Sequence, residues 1–128
     1  MELFKPLMTL FVLVTLMTTS SCKKEPVCIS SDLELEETLI EIFPNQNMVN
    51  IYFDVTNHSG TDYNENDTLV SIVRSKIQVV TQDGSMYESV DYLPFDYLSA
   101  GATKSAKFTA VYGIGKEFQS YSISLFCD

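Results

Sequence analysis

The chain contains no tryptophan, a single histidine (His58), and only 8 lysine and arginine residues against 17 aspartate and glutamate residues. The resulting formal net charge of −9 repels phosphate backbones, so we expect no nucleic acid among its partners. The lack of tryptophan weakens the case for stacking on a carbohydrate ring. A lone histidine and the lack of a Cys-x-x-Cys pair argue against a zinc site. We therefore expect no cofactor.

The chain also lacks an apolar stretch long enough to cross a membrane as a helix. Its longest run, Leu7–Met17, has 11 residues and is interrupted only by threonine, whereas a spanning helix needs roughly 20. This length is typical of the hydrophobic region of a secretory signal, and Lys5 supplies the preceding positive charge. The sequence therefore predicts a signal-peptide helix over residues 1–21 that is removed on export.

Small residues, Thr18 to Ser21, follow this run and lead directly to Cys22. This ending resembles the lipobox of bacterial lipoproteins, in which the cysteine is lipidated, although Thr19 stands where leucine is usual. The resemblance implies a membrane anchor through lipid at Cys22. Lys23, in place of the aspartate that marks inner-membrane retention, favours the cell outer membrane, facing either the periplasm or the surface. Simple secretion after cleavage near Ser21 and an uncleaved anchor are the alternatives.

Cysteine is scarce, with three residues in the chain. If Cys22 carries lipid, Cys28 and Cys127 remain, and in an oxidising compartment we expect them to form a disulfide. Such a bond requires the first and last segments of the domain to be neighbours; the alternative is two unpaired buried thiols. Pro26 and the nearby serines discourage regular structure, so residues 22–32 are predicted to be a tether.

Alternation of apolar and polar residues predicts β-strands in the rest of the chain. It is clearest in residues 48–57, where Val49, Ile51, Phe53 and Val55 alternate with polar side chains. Further strands are predicted at residues 69–82, 85–93, 104–112 and 118–127. Gly84, in the Asp-Gly pair between two of them, is a strong hairpin signal.

Residues 33–43 (LELEETLIEIF) fit two different structures. A strand paired with residues 48–57 is one of them. A short helix is the other, because Ser31 and Glu34 have the spacing of a capping box. The turn residues 44–47 between the two segments favour the strand.

Six or seven short strands in a chain of this length predict an all-β fold, an antiparallel immunoglobulin-like β-sandwich over residues 33–128. Three segments, VTNHSG (55–60), QDGSMY (82–87) and LSAGATKSAKFTA (98–110), resemble the turns and strands of small immunoglobulin-like extracellular domains of the FxLYD type. The resemblance covers residues 48–127. It implies a bacterial sandwich domain and brings no catalytic residues with it.

An aromatic loop follows the predicted strand 85–93 and is the best candidate contact surface. Tyr92, Phe95 and Tyr97 lie in or beside it. Tyrosine loses little conformational entropy on binding and contacts both apolar and polar groups, which suits a binding surface. Alternatively, Phe95 and Leu98 plug the open end of the sandwich.

An acidic segment, TDYNENDT, is a weak candidate for a calcium site. Asp62, Asn64, Asn66 and Asp67 supply oxygen donors in a pattern that begins like an EF-hand loop. The pattern then lacks the glycine of the sharp turn and the bidentate glutamate. The alternative is a solvated acidic loop.

Catalysis has little support in the sequence. His58 lies in a turn with no nucleophile motif near it, and a domain of this size has little room for a substrate cleft. We therefore expect a non-catalytic, membrane-anchored lipoprotein that acts as a binding or accessory module in the cell envelope. Its partner would be another envelope protein, a host protein or a glycan. A structural envelope protein without a specific ligand and a small envelope enzyme or inhibitor are the alternatives.

Overall fold

The computed structural model describes residues 25–128. The predicted signal peptide, residues 1–21, and the predicted lipidation site Cys22 lie outside the described residues. The described chain contains eight β-strands and two single-turn 3-10 helices, Ser30–Asp32 and Pro44–Gln46. The strands are β1 (Leu33–Phe43), β2 (Met48–Asn57), β3 (Tyr63–Asn64), β4 (Val73–Thr81), β5 (Met86–Tyr92), β6 (Tyr97–Leu98), β7 (Thr103–Val111) and β8 (Phe118–Cys127).

The strands form two three-stranded sheets, ordered β1-β2-β7 and β5-β4-β8, and a small sheet of β3 and β6. Every pair of neighbouring strands is antiparallel. The larger sheets share one core: the ring of Phe53 in β2 meets that of Tyr121 in β8 edge to face, with centroids 6.4 Å apart. The all-β class predicted from the sequence is confirmed.

Period-two alternation places the apolar face of each central strand in this core. In β2, Val49, Ile51, Phe53 and Val55 are between 0 and 3 % exposed. In β4 the buried residues likewise alternate with partly exposed ones along the whole strand. Because the two central strands bury one complete face each, the register of each sheet is fixed by the sequence pattern.

Residues 33–43 form strand β1, as the turn signal favoured, and the helical alternative is wrong. The strand pairs with β2 from Leu33 opposite Asn57 to Phe43 opposite Met48. Asn47 closes the turn between them in the left-handed region, with φ 50°, which asparagine tolerates better than most residues. The register shifts between Glu37 and Leu39, so β1 carries a bulge.

The predicted strand at residues 69–82 begins only at Val73. Asp67 explains the difference, because its Oδ1 accepts the backbone N–H of Leu69 at 2.9 Å and so holds the chain in a turn. Val70 then forms an isolated parallel bridge with Val27. The short strands β3 and β6 were not predicted, because a two-residue strand has no periodicity to detect.

The segment predicted to be a tether contributes partly to the folded domain. Cys28 and Cys127 form the expected disulfide, with Cα atoms 6.0 Å apart. Ile29 is fully buried in the common core, and the 3-10 helix Ser30–Asp32 leads directly into β1. Residues 27–32 therefore pack against the domain. Within residues 25–128, no helix is long and apolar enough to cross a membrane.

Candidate functional site

One end of the sandwich collects most of the residues singled out from the sequence, and we call it the aromatic end. It consists of Tyr63, Tyr92, Phe95, Tyr97 and Leu98. Strands β2 and β5 end here and β4 and β7 begin here, since Arg74 pairs with Tyr92 and the side chain of Asn57 donates to the carbonyl of Leu98. Loops from both large sheets therefore meet at one surface.

Phe95 and Leu98 close the core at this end. Leu98 is 2 % exposed, and the half-buried ring of Phe95 lies edge to face against fully buried Tyr63, with centroids 6.1 Å apart. Lys104 caps this pair: its Nζ lies 5.4 Å from the centre of the Phe95 ring and donates to the carbonyl of Tyr97 at 2.9 Å. The plugging role proposed as the alternative for Phe95 and Leu98 matches this packing.

Tyr92 and Tyr97 are the outward-facing members of the aromatic end. Their exposed fractions are 52 % and 43 %. Arg74 holds Tyr92 from one side, with its guanidinium carbon 4.9 Å from the ring centre, a distance at which a cation is attracted to the π face. The Nη1 of Arg74 also lies 3.6 Å from Oδ1 of Asp128. The predicted contact loop therefore separates into an inner plug and two exposed tyrosines.

Shallow cavities lie on both sides of Tyr92. The larger has a volume of about 460 Å³ and the smaller about 200 Å³. Tyr92 and Leu93 line both of them. The larger is also lined by Glu65, Asn66, Ile72, Phe95 and Asp96, and the smaller by Ser75, Asp91, Pro94, Lys107, Phe108 and Thr109. An apolar floor with carboxylates at the rim suits a side chain that has an apolar body and a polar or cationic tip.

Tyr63 gives this surface a rigid support. Its hydroxyl oxygen accepts the backbone N–H of Val73 at 3.3 Å. Burial raises the pKa of Tyr63, an effect partly opposed by that hydrogen bond. The hydroxyl therefore stays protonated at neutral pH, and the ring that supports Phe95 is anchored at both of its ends.

Asn57 fixes the loops beneath the aromatic end. Its Nδ2 donates to the carbonyls of Thr61 and Leu98 at 2.8 and 3.1 Å. Its Oδ1 accepts the backbone N–H and the hydroxyl of Ser59 at 3.0 and 2.7 Å. Because the Asn57 side chain itself is fully buried, these bonds satisfy polar atoms that bulk water does not reach, and such networks define one conformation.

Three of the four candidate calcium ligands accept backbone N–H groups, two within local turns and one from a distant loop. Asp62 accepts the backbone N–H of Ala100 at 2.8 Å. Asn64 accepts that of Asn66 at 3.0 Å, and Asp67 that of Leu69, as described above. In the described part of the chain, no group of three or more histidine, cysteine, aspartate or glutamate side chains is arranged to hold a metal ion.

The chain enters the domain at the same end as the exposed tyrosines. The backbone N–H of Val27 donates to the carbonyl of Leu69 at 2.9 Å, and Ser71 donates to that of Val27 at the same distance. The Cys28–Cys127 bond then ties the segment to the end of β8. The turn Pro44–Asn47, the Asp83-Gly84 turn and the loop between β7 and β8 lie at the opposite end.

Sequence reasoning missed three residues that shape the site: Tyr63, Arg74 and Lys104. Tyr63 lies in a segment interpreted as solvated, and the signal available was a single aromatic residue among seven polar ones in TDYNENDT. Arg74 and Lys104 act on rings that are 18 and 9 residues away along the chain. Such contacts follow from strand order, which local patterns do not reveal.

The geometry is that of a rigid loop end that displays two exposed tyrosines, one of them, Tyr92, beside two shallow cavities, close to the point where the chain enters the domain. Comparison of the chain with protein-family models, with curated proteins and with solved structures found no match.

Proposed function

We propose that this protein is a non-catalytic, membrane-anchored lipoprotein that acts as a binding or accessory module in the cell envelope. One observation carries the proposal: Tyr92 and Tyr97 are both exposed at the aromatic end, with Tyr92 lining two cavities, and Asn57 and Tyr63 hold this end rigid from below. Preorganised, half-exposed tyrosines bind a partner with little further loss of entropy.

The proposed domain is an immunoglobulin-like sandwich. Support comes from the chain path: β2 is followed by a crossing to β4 in the other sheet, and β5 by a crossing back to β7. Crossings of this kind between two antiparallel sheets are a feature of Greek-key sandwiches. The turn after Asn57 and the turn at Gly84, which belong to segments that resemble FxLYD-type domains, each lie between two strands, and this supports the proposal.

The lipid anchor would bring the aromatic end close to the membrane. Four residues lie between the predicted lipidation site Cys22 and Val27, which is fixed to the domain, so in a fully extended chain the two Cα atoms would be at most about 18 Å apart. The exposed tyrosines would then face a partner at the membrane surface. We therefore favour another envelope protein as the partner, over a host protein or a glycan.

In-cell photo-crosslinking tests this function. The full-length protein, in its own membrane, would carry a photoreactive phenylalanine analogue in place of Tyr92 or Tyr97. We expect a discrete adduct with another envelope protein, seen by mass spectrometry, from at least one of the two positions. Asn45, exposed in the turn at the opposite end, is the matched control position and should give a much weaker adduct or none.

The contrary result is equally specific. If Tyr92 and Tyr97 give no adduct while the protein is present at normal level in the membrane fraction, the aromatic end has no partner. The alternative of a structural envelope protein without a specific ligand would then be the better description.

A further inference from the structure

The two long flanks of the sandwich differ in how well they are closed. Where β7 faces β5, the inward side chains Ala106, Phe108 and Ala110 are buried, and the hydroxyl of Ser89 accepts the backbone N–H of Val111 at 3.4 Å. Where β1 faces β8, the inward apolar side chains are only half-buried. These residues define the open flank: Leu35, Ile40, Tyr121, Ile123 and Leu125.

The residues of the open flank are apolar, and several of them pair across neighbouring strands with buried core residues. Ile123 and Leu125 of β8 stand opposite Ile77 and Ser75 in β4, which are both fully buried. The same inward alternation on β8 leaves its own side chains half-covered. Within residues 25–128, the 3-10 helix Ser30–Asp32 contacts β8 beside the Cys28–Cys127 bond, but no strand pairs with the outer edge of β8. An additional strand beside β8 would cover these side chains.

The outer edge of β8 has fewer of the features that normally prevent strand pairing, since a register shift between Phe118 and Ser120, near the start of the strand, is the one irregularity in its pairing with β4. Proteins protect edge strands with charged residues, proline or bulges. Three of the four edge strands in the larger sheets have charges: β1 carries four glutamates and a bulge, β5 carries Glu88 and Asp91, and β7 carries two lysines. The ten residues of β8, FQSYSISLFC, include no charged residue and no proline.

We propose that β8 accepts an extended segment of a partner protein as a fourth strand of its sheet, a second binding surface that goes beyond the aromatic end proposed above. Backbone hydrogen bonds to the free edge of β8 would supply affinity. Alternate side chains of the added strand would enter the open flank and supply specificity.

Charge on the opposite rim defines the partner's chemistry. Glu37 of β1 lies on the inward side of that strand, opposite Phe53, and the hydroxyl of Tyr121 donates to its carboxylate. Burial and this carboxylate raise the pKa of Tyr121, so the hydroxyl remains a donor at neutral pH. The partner segment therefore carries apolar side chains at alternate positions and a lysine or arginine that reaches Glu37.

A second copy of this chain fits the site poorly. Pairing of β8 with the β8 of another copy would bring together two β1 strands, each with exposed Glu34, Glu36 and Glu37. Like charges on neighbouring strands are destabilising. A cationic partner segment would be attracted to the same carboxylates.

The test uses the purified full-length protein in detergent and defined ten-residue peptides. One peptide alternates valine with serine and carries two lysines; a second has two glutamates in their place; a third has the composition of the first with its valines in one block. We expect the alternating lysine peptide to bind most tightly and to protect backbone amides of β8 from hydrogen exchange. Equal binding of all three, or no binding, would overturn strand addition.

N-methylation of the peptide distinguishes backbone pairing from simple apolar contact. Methylating alternate residues blocks one edge of the added strand, and methylating the intervening residues blocks the other. We expect one series to lose binding and the other to retain it, because only one edge faces β8. Loss of binding in neither series would mean that no β-ladder forms.

Variants on β1 test the charge. Glu37→Gln keeps the hydrogen bond with Tyr121 and should weaken binding of the lysine peptide by about twofold to fivefold. Glu36→Gln removes the same charge from the outward side of the strand, and a smaller effect is expected. An equal effect would remove the assigned role of Glu37. If sedimentation shows a dimer whose β8 amides are protected from exchange, the strand added to β8 comes from a second copy of this chain.

The two proposals fail separately. Adducts from Tyr92 or Tyr97 without protection of β8 by any peptide would leave the binding function standing and remove strand addition. Protection of β8 without those adducts would leave strand addition standing and remove the binding role of the aromatic end.

Discussion

Among single residues, Asn57 has the largest structural role at the candidate site. The side chain forms four hydrogen bonds with two segments, the turn that follows β2 and strand β6, and its own backbone N–H donates to the carbonyl of Ala102 at 3.0 Å. An aliphatic replacement would leave the carbonyls of Thr61 and Leu98 in place but without this donor. Buried polar groups that lose a partner cost about 1–3 kcal/mol each.

We expect Asn57→Ala to lower the free energy of unfolding by at least about 2 kcal/mol. Urea unfolding at pH 7 would measure it. Asn50→Ala is the matched control, because Asn50 is nearly buried but has one side-chain hydrogen bond, from the hydroxyl of Thr109 at 2.8 Å. Equal losses in the two variants would show that Asn57 is an ordinary buried amide.

At the scale of elements, the hairpin of β4 and β5 is joined to the loop before β8 by one ion pair. Lys116 donates to Oδ2 of Asp83, and Oδ1 of the same carboxylate accepts the hydroxyl of Thr81 at 2.6 Å and the backbone N–H of Ser85 at 3.1 Å. Hydrogen bonds from Lys116, which has the largest effect, and from Thr81 and Ser85 hold the pKa of Asp83 well below its usual range. Asp83 in turn raises the pKa of Lys116.

Stability should therefore depend on pH through this turn. A carboxyl with a depressed folded-state pKa contributes stability that is complete above its unfolded pKa, about 3.9, and is lost as the pH falls through the folded value. We expect Asp83→Asn to lower the urea midpoint at pH 7, and the difference from wild type to shrink below about pH 4. Asparagine keeps the acceptor for Thr81 and Ser85, so the variant isolates the charge.

Glu117→Gln is the control for this experiment. Glu117 is exposed and adjacent to Lys116, and the substitution removes the same charge without touching Asp83. Its midpoint should stay near that of wild type at both pH values. A pH-independent loss in Asp83→Asn would assign the effect to the turn geometry and exclude the ion pair.

The sequence predicted these elements to different degrees. Alternation located β2 and β8 with their full bounds and β7 to within one residue, because one face of each must be buried. Alternation placed the start of β4 four residues early. Leu69 and Val70 are apolar but lie outside β4, where they contact the entering segment at Val27. The disulfide followed from cysteine count. The open flank did not, because which strand lies at an edge depends on topology.

For the whole molecule, both ends of the described chain meet at one place. Val27 bridges to Val70, Cys28 is bonded to Cys127, and Asp128 donates its backbone N–H to the carbonyl of Ile72 at 3.0 Å. The disulfide closes a loop with a sequence separation of 99 residues. The chain-entropy model gives a loop of that size a stabilisation of about 4.7 kcal/mol at most. The predicted anchor at Cys22 lies just before this junction.

Two variants separate the stability of the domain from its attachment. In Cys28→Ser/Cys127→Ser we expect the free energy of unfolding to fall by about 2–5 kcal/mol while the protein stays in the membrane fraction. In Cys22→Ser we expect unchanged unfolding of the domain and release from the membrane, because the proposed site of acylation would be absent. Urea unfolding would measure stability, and membrane fractionation would measure attachment. Intact mass with and without reductant would detect the lipid and the disulfide. Retention of Cys22→Ser in the membrane, with a mass that differs from wild type only by the exchange of sulfur for oxygen, would contradict the lipoprotein proposal, and the closeness of the aromatic end to the membrane would then lose its basis.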